Sequence, residues 1–168
     1  MRSRVIFKGK LLRLSTEERV LPNGHRAHLE VIKHPGAALV IPFVTAKKII
    51  LLRQLRPVIN AYIYELPAGT LERRERPIVC ARRELVEETG YAARTFRKLG
   101  VIYPVPGYST EKITIYKATD LHKKEVCAEK DEIIKHAVVE KQEVRQLFRS
   151  GKIVDAKTIC ALTLCRWL

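Results

Sequence analysis

Between Gly69 and Tyr91 the chain reads Gly-Thr-Leu-Glu-Arg-Arg-Glu-Arg-Pro-Ile-Val-Cys-Ala-Arg-Arg-Glu-Leu-Val-Glu-Glu-Thr-Gly-Tyr. This stretch carries both ends of a helix. Pro77 suits the first helical turn, because its missing donor would be unpaired there anyway. Gly90 suits the position just past the C-terminus, where a left-handed residue closes the last turn. Between them Ile78, Ala81 and Leu85 share one side, predicting a face that packs on a sheet. Glu84 and Glu88 stand four apart on the remaining surface, with Glu87 three from Glu84. Like charges at that spacing destabilise a helix, and the helix dipole disfavours anions at this end. A divalent cation reverses the sign, since hard metals take several oxygen ligands in a small volume. The bland alternative is a solvated charged face. Arg83 and Glu87 form an i,i+4 pair that ties the cluster to a cation.

The rest of the chain supplies strands for that helix to cover. Alternating patterns at residues 5–14 and 27–32 flank Leu21-Pro22-Asn23-Gly24, a turn signal because Asn-Gly tolerates positive φ. They predict an N-terminal β arm over residues 1–33, ahead of a main domain at 34–168. Residues 37–44, 48–54 and 62–66 read as strands, the last ending at Pro67-Ala68-Gly69. Further strands are expected at 97–102, 113–118 and 133–139, then a helix at 140–149. Asp155 resembles the N-cap of a C-terminal helix running to Arg166-Trp167-Leu168. Strands and helices mix without regular alternation, which predicts an α/β fold with a mixed sheet flanked by helices.

Composition narrows the function. The 168 residues are 46% hydrophobic, enough for one domain with a real core. No run of about eighteen apolar residues exists, so no membrane span is expected. The basic start lacks the apolar stretch of a secretory signal. Cys80, Cys127, Cys160 and Cys165 show no CxxC spacing and read as free thiols of a cytoplasmic protein. The five histidines likewise show no ligand spacing. The net charge of +14 suits steering of phosphorylated substrates, a solvated basic surface, or RNA binding. Aromatic residues are only 7%, and no basic stretch interleaves them, so nucleic acid is not the expected partner.

Written as spacing, the helix segment is Gly69, five residues, Glu75, seven residues, then Arg83-Glu84-Leu85-Val86-Glu87-Glu88-Thr89-Gly90-Tyr91. This resembles the Nudix box. The fixed positions Gly69, Glu75, Arg83, Glu84, Glu87, Glu88 and Gly90 all match, and Tyr91 stands where the box has an aliphatic residue. The resemblance implies a Nudix-like α/β/α sandwich that binds Mg²⁺ or Mn²⁺. Glu84, Glu87, Glu88 and the Ala68 carbonyl are the implied ligands, and Glu75 and Arg83 orient the glutamates. Gly69 would allow close backbone approach to substrate.

Outside the box, Leu52-Arg53-Gln54-Leu55-Arg56-Pro57, Glu65-Leu66-Pro67-Ala68-Gly69 and Gly151-Lys152-Ile153-Val154-Asp155-Ala156-Lys157-Thr158 resemble the ADP-ribose pyrophosphatase and nucleoside-diphosphate-sugar hydrolase branch. So does Tyr103-Pro104-Val105-Pro106-Gly107-Tyr108-Ser109-Thr110-Glu111. That resemblance implies Arg56, Pro106, Gly107 and Glu111 as substrate contacts. It places a general base in the acidic segment at 128–132, with Glu132 first and Glu129 second, while Glu87 is the rival in the helix. It implies a homodimer whose arms complete the site. Residues 15–30 hold no Trp, Tyr or Phe, a departure that leaves the preferred base open. The expected reaction is hydrolysis of ADP-ribose to AMP and ribose 5-phosphate. The alternatives are GDP-mannose or another nucleotide sugar, and a non-catalytic module that senses ADP-ribose; the intact carboxylates speak against the last.

Overall fold

The computed structural model describes residues 3–124 and 134–168. Three strands, β1 (Ser3–Lys8), β2 (Arg13–Val20) and β3 (Arg26–Lys33), form an antiparallel sheet of their own. The single strand expected at 5–14 is therefore two. The chain reverses where the Gly9 N–H donates to the Leu12 carbonyl at 2.8 Å, and the apolar alternation on both sides hid that corner. The Asn-Gly turn forms as the sequence suggests, with Gly24 at φ +81° and a Leu21 N–H to His25 carbonyl bond of 2.8 Å.

On this three-stranded sheet, Glu17 is buried beneath two cations. Its carboxylate accepts from Arg19 Nη2 at 2.6 Å and pairs with Lys33 Nζ at 2.5 Å. The bonds to Lys33 and then Arg19 outweigh burial and bring its pKa from 4.5 to about 2. A carboxylate depressed on folding stabilises fully above its unfolded value, and the gain disappears as pH falls through the folded one. Wild type should therefore lose its Tm advantage over Glu17→Gln as pH drops from about 5 to about 2. A constant Tm difference across that window, followed by circular dichroism, would remove Glu17 as the titrating group.

The strands of the second sheet are β4 (Ala37–Thr45), β5 (Lys48–Arg56), β6 (Ala61–Glu65), β7 (Ala68–Thr70), β8 (Tyr91–Ile102), β9 (Ile113–Lys123) and β10 (Ile134–Glu140). That sheet is mixed, ordered β10-β5-β4-β9-β8, with β6 added to β5 and β7 to β4. Among the described strands of this sheet, only β4 and β9 run parallel; the other pairs are antiparallel. The continuous apolar run of β4 is explained by burial on both faces, seven consecutive residues from Ala37 to Phe43. Its side chains alternate between two cores. Leu39, Ile41 and Phe43 pack with Ile49, Leu51, Val144, Leu162 and Trp167. Ala38 and Val40 pack with Cys80, Ala81 and Leu85 of the helix α1 (Pro77–Thr89). Helices α2 (Lys141–Arg149) and α3 (Ala156–Leu164) cover the opposite face. The architecture is the expected α/β/α sandwich.

Several boundaries differ from expectation. Strand β8 begins at Tyr91, directly after Gly90 and not at 97, where the half-exposed Tyr91-Ala92-Ala93 carries no apolar alternation to mark it. The last helix stops at Leu164 rather than at 168. There Arg166 takes φ +59°, the Trp167 N–H donates to the Leu162 carbonyl, and the indole turns back edge-on to Phe43 at 5.4 Å. Burying that ring outweighs one further helical turn. Asp155 does cap α3, accepting from the Thr158 N–H at 2.9 Å. Among the described residues no helix is long and apolar enough to cross a membrane.

Candidate active site

The site begins where β7 meets α1. Gly90 closes the helix in a left-handed conformation, φ +69°, with its N–H on the Val86 carbonyl at 2.8 Å. Ala81 and Leu85 are buried against the sheet, so the helix cannot rotate about its axis. Its carboxylates are thereby aimed at Ala68 and Gly69, which pair with Leu39 and Ala38 of β4.

Glu84 lies directly over Gly69: a β-carbon built there would stand 1.7 Å from its Oε1. One turn on, the buried Glu88 accepts the Ala68 N–H through Oε2 at 3.0 Å. Thus two carboxylates meet two consecutive residues of one short strand. Arg83 binds the arrangement together. Its guanidinium donates to Glu75 Oε1 and Oε2, each at 3.2 Å, to the Thr70 carbonyl at 3.2 Å, to Glu84 at 2.6 Å and to Glu87 at 2.9 Å. Burial would lower the Arg83 pKa, but Glu75, Glu84 and Glu87 raise it, so it stays charged. Burial likewise works against the charge on Glu75. The Arg83 bond and the Glu72 N–H win, and its carboxyl sits below the usual range. Cys80, beneath the strand, has its thiol pushed up to about 12 by burial and then by Glu84 and Glu75, so it remains protonated.

Arg83 sits between Glu84 and Glu87. Among the described residues no three His, Cys, Asp or Glu side chains close into a metal-binding cluster. The helix aligns Glu84 and Glu88 on the strand, whereas the Arg83 bridge holds Glu87 on the more exposed flank. The carboxylates here offer oxygen, the ligand type that hard divalent ions take, and a divalent ion fits their chemistry.

Beside Ala68 and Gly69 opens a cavity of about 380 Å³, whose walls include Arg56, Pro104, Glu111 and Lys157. Arg56, Gly69 and Glu111, expected as substrate contacts, are thus brought together. Pro106 and Gly107 are not on this wall. They sit in an exposed turn closed by the Ser109 N–H on the Val105 carbonyl, and Pro104 reaches the cavity instead. Arg56 forks onto the buried Glu65 at 2.7 and 3.0 Å. Burial would lower the Arg56 pKa, yet Glu65 raises it. Lys157 was not singled out from sequence. Its one signal is the Asp155 cap, which sets the first turn of α3 beside Glu65. Glu132 and Glu129 lie outside the described residues.

Fold and carboxylate helix together place the protein among hydrolases. Residues 33–162 match the NUDIX domain, and the chain belongs to that family, whose members generally need a divalent metal ion. It is 37% identical over 161 residues to the ADP-ribose pyrophosphatase of Bacillus subtilis (strain 168), covering 94% of this chain and 86% of that protein. It is also 37% identical over 159 residues to the methanol dehydrogenase activator of Bacillus methanolicus, with coverage of 94% and 86%. A crystal structure of an ADP compounds hydrolase shares the fold, with a TM-score of 0.83 at 21% identity, covering 99% of this chain and 90% of that one.

Proposed function

We propose that this protein hydrolyses the pyrophosphate bond of ADP-ribose to AMP and ribose 5-phosphate, using Mg²⁺ or Mn²⁺. One observation carries the reading: Glu84 and Glu88 converge on Ala68 and Gly69 at the edge of a cavity that also presents Arg56 and Lys157. An anionic diphosphate needs both kinds of neighbour, oxygen ligands for its cations and fixed positive charge for its remaining oxygens.

Glu84, Glu88 and Glu87, with the Ala68 carbonyl, would hold the divalent ion. When bound, the ion neutralises phosphate charge and lowers the pKa of water. Water adds its oxygen to one phosphorus, the bridging P–O bond breaks, and the bridging oxygen leaves with the other phosphate. A carboxylate, Glu87 or Glu132, takes the proton. Arg83 and Glu75 keep the glutamates in place, so little reorganisation accompanies the step. Arg56, Gly69 and Glu111 would contact substrate from the cavity wall.

Residues 1–33 would form a dimerising arm. Supporting this are Val5, Ile6 and Phe7 of β1, large apolar side chains left exposed, which a second copy would cover. Free Cys80, Cys160 and Cys165 suit the reducing cytoplasm.

The test is incubation of purified protein with ADP-ribose, GDP-mannose or NADH, with and without Mg²⁺, and separation of the products. AMP and ribose 5-phosphate from ADP-ribose, only with metal, is the expected result. Binding of ADP-ribose without turnover would favour the sensing module. Turnover of no nucleotide sugar would end the proposal.

A further inference from the structure

Glu65 is a carboxylate with almost no exposed surface, yet it serves two cations that both reach the cavity. Arg56 comes from β5 and Lys157 from the first turn of α3, whereas the metal-type carboxylates come from α1. Lys157 Nζ bonds Glu65 Oε1 and also Asp155 Oδ1, the latter at 2.8 Å. Two cations and two carboxylates cancel in formal charge, but not in position. Side-chain exposure is 1% for Glu65 and 14% for Asp155, against 19% for Lys157 and 38% for Arg56. A ligand entering the cavity therefore meets Arg56 and Lys157 on a wall that Asp155 and Glu111 also line, while the anchoring Glu65 lies behind it.

The donor inventory points the same way. An ammonium has three N–H donors, and among the described residues those of Lys157 meet two oxygens, leaving one over. A guanidinium has five, and among the described residues Arg56 spends two on Glu65, leaving three. Both heads are preset by a buried acid, so binding an anion costs little side-chain ordering.

We propose that Lys157 is a substrate-binding residue that, with Arg56, grips a phosphate oxygen of the diphosphate not engaged on the α1 side. The proposal rests on the reading of the site as a nucleoside-diphosphate-sugar hydrolase. It gives Glu65 and Asp155 a positioning role, each holding the ammonium toward the cavity. The rival is a purely structural tie between β6 and α3.

The test compares wild type with Lys157→Met, Lys157→Gln and Lys157→Arg in three measurements. These are calorimetric binding of ADP-ribose without metal, KM and kcat with Mg²⁺, and Tm. Loss of one charge-assisted hydrogen bond should weaken binding and raise KM roughly tenfold, with kcat within about twofold. Lys157→Arg should recover most of the affinity. A lower Tm with unchanged Kd and KM in either neutral variant would establish the structural tie and overturn the proposal, leaving the hydrolase reading intact. If wild type neither binds nor cleaves ADP-ribose or GDP-mannose, the hydrolase reading itself fails and this inference falls with it.

Discussion

Glu88→Gln is expected to lower kcat/KM for ADP-ribose about a thousandfold while leaving Tm near wild type. Glutamine keeps the size of the side chain and an oxygen that can accept the Ala68 N–H, now bonded at 3.0 Å. What disappears is the negative charge. A divalent ion at this place contributes several kcal/mol of charge stabilisation in the transition state, and roughly 4 kcal/mol is about a thousandfold. Stability should suffer little, because a neutral amide in this buried position no longer bears the desolvation cost of a charge. Steady-state kinetics over a Mg²⁺ series, with a melting curve on the same sample, make the check. Full Mg²⁺-dependent activity in the variant would strike Glu88 from the ligand set.

Gly69→Ala should do nearly as much damage through space alone. The added methyl would stand 1.7 Å from Glu84 Oε1 and 2.1 Å from its Cδ. The obstacle is the far end of a flexible side chain, so the backbone of β7 can stay and Glu84 must swing away. Folding should lose no more than about 1 kcal/mol, the ordinary size of a small substitution effect. Activity should fall about a hundredfold, the cost of misplacing a reacting group by roughly an ångström. The two readouts separate cleanly in a single experiment combining Tm with kcat. A large Tm loss with normal activity in the surviving folded fraction would show that Gly69 serves the strand and not the carboxylate.

The parts of this protein that are legible in one dimension are those governed by neighbours a few residues away. Pro77 and Gly90 mark the ends of α1 because capping is a local hydrogen-bonding matter. Ile78, Ala81 and Leu85 reveal its packing face because the helix repeat is short. The apolar run of β4 announces a strand covered on both sides, and Asp155 announces the start of α3. The same logic sets Glu84 and Glu88 on one line. Even so, local pattern failed at Gly9, where two strands of matching alternation meet, and at β7, whose Ala68-Gly69-Thr70 has no β signature of its own.

What sequence alone determined, then, is the carboxylate helix, its caps, its buried face and the mixed α/β class, all consequences of periods of two and of about 3.6 residues. Tertiary structure alone decided where that helix points and what faces the cavity beside it. The Arg83 bond to the Thr70 carbonyl of β7, the choice of Pro104 over Pro106, and the turn of Trp167 onto Phe43 depend on sheet order. So does the pairing of Glu65 with Lys157, 92 residues apart along the chain. The reason is physical: a parallel β4–β9 pair and a helix layer on each side bring distant segments together, and which segment meets which leaves no short period in the sequence to read.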